Sequence, residues 1–252
     1  LQSNNEVPVS AARQSRSEAL RLGRFILQCL TVFLVFAVAS AIPVLLLGET
    51  SIGLALSAAV GMASGLAVAW LWLRKDGVIG EAFNLSAPQS WSQTLGQAIP
   101  VTAAILLLLI GGGALMKAIG IGAPNTIDVI GLVRESPWSL LLWITLVAWG
   151  SAAFGEELLW RGFFIDRLSR LRGLSGRTMM IVVVQAMVFA LPHAYQGIGG
   201  VVVTGAVGLF LGWLRMRNNG NLWLLVIAHG LVDTIMLTAG YFDAFALIDR
   251  LF

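Results

Sequence analysis

Glu156, Glu157 and Arg161 stand inside an apolar run that extends from Trp138 to Phe164. The chain's two histidines fall in other apolar runs, His193 in Phe-Ala-Leu-Pro-His and His229 in His-Gly-Leu-Val-Asp, four residues before Asp233. An ionised side chain in hydrocarbon costs about 2.5–3.5 kcal/mol on insertion scales. Such groups must therefore satisfy one another or face a wet cavity. Glu, His, His and Asp around one notch suit amide hydrolysis. A carboxylate or imidazole takes a proton from water, and the remaining groups polarise it or hold the oxyanion. A zinc shell of Glu156, His193 and His229 with an open position is the alternative chemistry.

Spacing sorts these residues by role. Glu157 and Arg161 are i,i+4 with the acid N-terminal, the favoured order for a helical pair, and read as a structural salt bridge. Glu156 points about 100° away from Glu157. One arginine cannot neutralise two acids, so Glu156 is free for another task. Phe189 and His193, and His229 and Asp233, are also i,i+4 and stack on single helix faces. Asp233 either orients His229 or acts directly. Gly155 and Gly230, beside Glu156 and His229, leave room for a close backbone or a substrate. Pro192 removes a backbone donor beside His193 and frees a carbonyl. The sequence has no His-Glu-x-x-His and no Gly-x-Ser-x-Gly motif, and one thiol, Cys29, builds neither a disulfide nor a cysteine metal site.

The elements that must position these groups are membrane helices. Of 252 residues, 58% are hydrophobic and 12% charged, half the charge of an ordinary soluble domain. The expected fold is all-α, a polytopic transmembrane bundle of about seven spans. The spans are Phe25 to Leu47, Ser51 to Leu73, Ile99 to Ile119, Trp138 to Phe164, Thr178 to His193, Gly199 to Trp213 and Leu222 to Gly240. Ala37-Val38-Ala39 resembles a signal-peptide cleavage site, but the apolar run continues to Leu47 and reads as a span. Residues 77–98 read as an interfacial helix. Gly61-x-x-x-Gly65 and Gly208-x-x-x-Gly212 are close-packing patterns for helices in lipid.

Seven spans with a cytoplasmic N-terminus put Arg13, Arg16, Arg21, Arg24, Arg74, Lys75, Arg167, Arg170, Arg172, Arg177, Arg215 and Arg217 on the cytoplasmic side. Only Lys117, Arg134 and Arg250 fall outside, as the positive-inside rule requires. The same topology accounts for the net charge of +3 without nucleic acid. At about 1.5 Å per residue, Glu156 lies about 16 Å in from Arg167, and His229 about 15 Å in from Asn219. These depths put the site near the membrane middle, towards the cytoplasm. His193, about 24 Å from Arg177, falls a turn or two deeper.

Glu156-Glu157-x-x-x-Arg161, Phe189-x-x-x-His193 and His229-x-x-x-Asp233, in this order on successive helices, resemble the CAAX prenyl protease and bacteriocin-processing family of intramembrane endopeptidases. The resemblance covers residues 138–240. The approach to the last motif, Gly212-Trp213-Leu214-Arg215-Met216-Arg217 before Asn221-Leu222-Trp223, is similar too. It implies that Glu156 activates water with His193, that His229 and Asp233 stabilise the oxyanion, and that Glu157, Arg161 and Phe189 support the site. An Asp at 233 donates to an oxyanion only when protonated, or else acts through His229.

The expected organisation is a cytoplasmic segment 1–24, three N-terminal spans with an interfacial segment over 25–137, a catalytic four-span bundle over 138–240 and a tail over 241–252. The expected function is hydrolysis of a peptide bond in a membrane-associated protein or peptide, prenylated or not. The motifs do not decide whether a cofactor is needed; zinc is the candidate. The expected location is a multi-pass position in a bacterial inner membrane. Two rival functions keep the same residues. A non-catalytic binding or immunity protein would tolerate Glu156→Gln. A proton-coupled transporter would use the acids as a relay, although no internal repeat is visible.

Overall fold

A computed structural model describes residues 20–244. Arg13, Arg16 and Arg250 lie outside the described residues, as do most of the expected N-terminal segment and C-terminal tail. The named elements are all helical: α1 (Leu22–Leu47), α2 (Ser51–Asp76), α3 (Trp91–Ala118), α4 (Ile127–Arg134), α5 (Pro137–Arg170), α6 (Thr178–Ala190), α7 (Gly197–Arg217) and α8 (Trp223–Tyr241). Six stretches are long and apolar enough to cross a bilayer: α1, α2, α3, α5, the continuous Thr178–Arg217 and α8. Their outer faces carry bare aliphatic side chains, with Leu45 82% and Leu107 73% exposed. Such faces need lipid rather than water around them.

The 40-residue stretch Thr178–Arg217 is folded on itself. A 3₁₀ turn over Leu191–Gln196 follows α6, and Gly197 takes φ +82°. Leu191 keeps α-helical angles, and Pro192 stands in the first turn of the 3₁₀ segment, where a missing N–H is tolerated. The positive φ at Gly197 then reverses the chain at little steric cost. Antiparallel packing of α6 on α7 follows. A Cβ on Gly208 would lie 2.9 Å from Phe189, and one on Gly212 would lie 2.8 Å from Gln185. The bundle therefore has seven legs, the number expected from the sequence.

Small residues set the other tight contact. Gly61 and Gly65 of α2 lie against Ser40 and Phe36 of α1, where a Cβ on Gly61 would come within 1.8 Å of Ser40 Oγ. Helix starts are capped as their sequences require. Thr50 accepts from the Gly53 N–H at 3.1 Å, and Ser136, with Pro137 at the first helical position, accepts from Ser139 at the same distance.

Three local expectations are corrected. Residues 77–98 do not form one interfacial helix. A single turn, Ile79–Ala82, leads into an irregular strap, and α3 already begins at Trp91, after the Ser90 cap. The loop expected between the third and fourth spans contains α4. The fourth span continues past Phe164 to Arg170, so Arg167, counted with the cytoplasmic charges, is a buried helical residue. Within α5, Trp143–Phe164 is wound as a π-helix between α-helical ends. Backbone of this kind is rare and gathers at functional sites.

The two ends of the bundle differ. At the basic end Arg24 and Arg167 both pair with Asp76, Arg167 at 2.6 Å, while Arg170 pairs with Glu81. At the far end the Asn125 N–H donates to Gln196 O at 2.9 Å, and Arg134 Nε donates to Tyr241 O at 3.2 Å.

Candidate active site

Glu156 and Glu157 are neighbours with opposite surroundings. Glu156 faces a cavity of about 270 Å³, while Glu157 is fully buried behind it. His193, His229 and Asp233 line the same cavity. The structure thus gathers on one space the four residues expected to do chemistry, from α5, the 3₁₀ turn and α8. Other walls come from Trp143, Ala152, Tyr195 and Met236, so the polar groups stand in a largely apolar chamber.

Behind Glu156, Arg161 Nη1 donates to Glu157 Oε1 at 3.0 Å, and both side chains are inaccessible. The same oxygen accepts from His229 Nδ1 at 2.8 Å. Glu157 therefore links α5 to α8 as well as neutralising Arg161. Phe189 lies under the guanidinium, whose central carbon is 4.1 Å from the ring centre. Its carbonyl accepts from His193 Nδ1 at 3.2 Å. Both imidazoles thus engage Nδ1 with protein acceptors and leave Nε2 for the cavity. His229 Nε2 stands 3.5 Å from Asp233 Oδ2, long for a direct hydrogen bond.

Two expectations about free space are corrected. A Cβ on Gly155 would lie 2.2 Å from Met62 Cγ, and one on Gly230 would lie 2.7 Å from the Trp149 ring. These notches admit the protein's own side chains rather than a substrate. Trp149 is fixed there by donating to Thr234 Oγ1 at 3.0 Å. Pro192 kinks no helix, because it belongs to the 3₁₀ turn that ends α6. The expected depth is corrected as well. His193 lies in a turn at the far end, and α4 and that turn wall the cavity, which occupies the half of the bundle away from the basic end.

Arg215, counted among the cytoplasmic charges, is a supporting residue as well. It lies in the last turn of α7 and is 7% exposed. Its Nε donates to Arg161 O at 3.1 Å, and Nη2 donates to Glu81 O at 3.1 Å and Ala82 O at 3.3 Å. The likeness of 212–217 to the approach of the last motif was the one sequence signal for it. Tyr195 had no comparable signal. Its ring stacks near His193, with centroids 6.3 Å apart, at the cavity wall. Among the described residues no group of three or more His, Cys, Asp or Glu side chains is gathered as a metal shell. Glu156, His193 and His229, the residues that would hold zinc, share the cavity.

Residues 137–235 match the family model described as type II CAAX prenyl endopeptidase, Rce1-like. The match starts at the first residue of α5 and ends two residues after Asp233; α1–α3 lie outside it. Neither the curated proteins nor the solved structures include a match to this chain. The matched segment contains all three motifs and every side chain of the Glu157–Arg161–His229 cluster, so the part of the chain that carries the candidate site is similar to the Rce1-like CAAX prenyl endopeptidases.

Proposed function

We propose that this multi-pass membrane protease hydrolyses an internal peptide bond with Glu156 as the base, and that α5–α8 form the catalytic unit. One observation carries the reading: Glu156 shares a cavity with His193, His229 and Asp233, while Glu157 is turned away and occupied.

Water held between Glu156 and His193 Nε2 loses a proton to the Glu156 carboxylate as its oxygen bonds to the scissile carbonyl carbon. The carbonyl π pair moves onto oxygen. As an imidazolium, His229 donates through Nδ1 to Glu157 and presents its Nε2–H to that oxyanion, with the Asp233 carboxyl beside Nε2. Glu156 returns its proton to the amide nitrogen as the C–N bond breaks. The products are a carboxylic acid and an amine, which exchange the remaining proton to leave as carboxylate and ammonium. Glu157 and Arg161 hold the geometry and touch no reacting atom. No step passes through zinc.

Glu156→Gln keeps the shape and removes the base. Loss of a general base lowers turnover by about 10²–10⁴-fold. Cleavage of an internally quenched peptide library by purified protein in lipid nanodiscs measures it. Unchanged cleavage by the variant would refute the assignment. Retained cleavage after dialysis against a chelator would support the metal-free chemistry, and its loss with recovery on added zinc would replace it.

A further inference from the structure

We infer that the scissile segment enters from the end of the bundle opposite the basic residues, so that the substrate is polypeptide presented on the extracytoplasmic side. This rests on the proposed catalytic reading for its meaning, but not for its test.

The two ends of the bundle differ in how they meet the cavity. Towards the far end its walls are Thr126 and Ile130 at α4 and Tyr195 and Gln196 in the 3₁₀ turn. Exposure rises in that direction. Glu157 is inaccessible, the His229 side chain is 13% exposed, Asp233 one turn further along α8 is 29% exposed, and Tyr195 is 64% exposed. Towards the basic end the chamber is closed. Arg161 is inaccessible, and Arg215 ties its carbonyl to those of Glu81 and Ala82 in the strap. Below that tie, Leu158, Leu222 and Val226 pack with Phe83 and Leu85. A peptide coming from the basic end would have to displace a buried ion pair and a hydrophobic cluster.

Arg24, Arg74, Lys75, Arg170, Arg172 and Arg217 mark the closed end, whereas Lys117 and Arg134 are the described basic residues at the open one. That asymmetry assigns the closed end to the cytoplasm. The charge of the chamber narrows the substrate further. Its described lining holds two acids, two histidines and no lysine or arginine. A free C-terminal carboxylate lodged inside would meet like charge without a counter-ion. An internal, uncharged or basic segment would not.

Single cysteines in a Cys29→Ala background test the route without turnover. Tyr195→Cys and Thr126→Cys place a thiol at the open end, and Arg172→Cys places one at the closed end. Each is exposed to a membrane-impermeant charged maleimide in sealed right-side-out and inside-out vesicles. The expected result is labelling of Tyr195→Cys and Thr126→Cys in right-side-out vesicles and its loss in inside-out ones, with Arg172→Cys reversed. Labelling of all three from one face, of Arg172→Cys from outside, or of neither mouth position from any face would overturn the inference. If Glu156→Gln remained active while this pattern held, the catalytic reading would fall and the access route would stand.

Discussion

Glu157 on α5 and His229 on α8, 72 residues apart in sequence, meet at 2.8 Å through the carboxylate oxygen that also holds Arg161. One buried oxygen therefore joins the first and last motifs. Removing its charge would leave Arg161 uncompensated in a space with no water access. Breaking a buried pair by one partner costs about 3–5 kcal/mol. Glu157→Gln should accordingly lower the thermal unfolding midpoint in detergent well below that of the parent, whereas Glu156→Gln should leave it nearly unchanged. Equal midpoints for the two variants would show that the adjacent acids are not divided in this way.

Phe189 supports the same cluster from α6. Its ring lies under Arg161 and packs against Trp160, with centroids 5.8 Å apart. Phe189→Leu keeps an apolar side chain but loses the face presented to the cation, a contact worth about 2 kcal/mol when desolvated. It should reduce both stability and turnover, while Phe189→Tyr should retain the ring contact and most of the activity. Peptide cleavage and unfolding midpoints measured on both variants decide this. A leucine variant as stable as the tyrosine one would remove the cation–π contact from the account.

Arg215 predicts a contrast within one short segment. Arg215 reaches three backbone carbonyls, while its neighbour Arg217 lies over the Trp213 ring at 5.3 Å from the centroid. Losing hydrogen bonds to a charged donor costs about 1.5–3 kcal/mol each before relaxation. Arg215→Ala should destabilise strongly, and Arg215→Lys should recover little, because a point ammonium cannot reach three acceptors arranged for a planar fork. Arg217→Ala should shift the unfolding midpoint only slightly. Limited proteolysis of the strap over residues 83–90 would report its release in the Arg215 variants alone.

The helical class and the seven legs were legible because apolar run length and positive charge at run ends reflect the bilayer directly. The gathering of Glu156, His193, His229 and Asp233 was legible because charge in hydrocarbon has few places to go. Three features were not legible. A count of basic residues cannot separate Arg215 and Arg167, both buried, from lysines and arginines left in water. Linear depth put His193 further from the basic end than Glu156 and His229, and it does lie in the turn at the far end; what it could not show is that the chain reverses there, at Gly197. Glycines beside the acids read as open space, yet only the fold tells which neighbour fills a missing Cβ. At Gly155 it is Met62, and at Gly230 it is Trp149.

Gly230 carries the last prediction. A methyl group there would meet the Trp149 ring at 2.7–2.8 Å, and Trp149 cannot swing away without losing its bond to Thr234 Oγ1. Forcing an extra carbon into such a contact costs about 1–3 kcal/mol. The strain would fall one residue from His229 and displace α8 relative to α5, lengthening the contact between His229 and Glu157. Gly230→Ala should thus lower turnover more than substrate affinity, in addition to lowering the unfolding midpoint. Trp149→Leu in the same chain creates room, so the double variant should be more stable than the sum of the single effects predicts. A double-mutant cycle on unfolding midpoints measures that coupling, and strict additivity would show that the glycine is required for something other than the tryptophan.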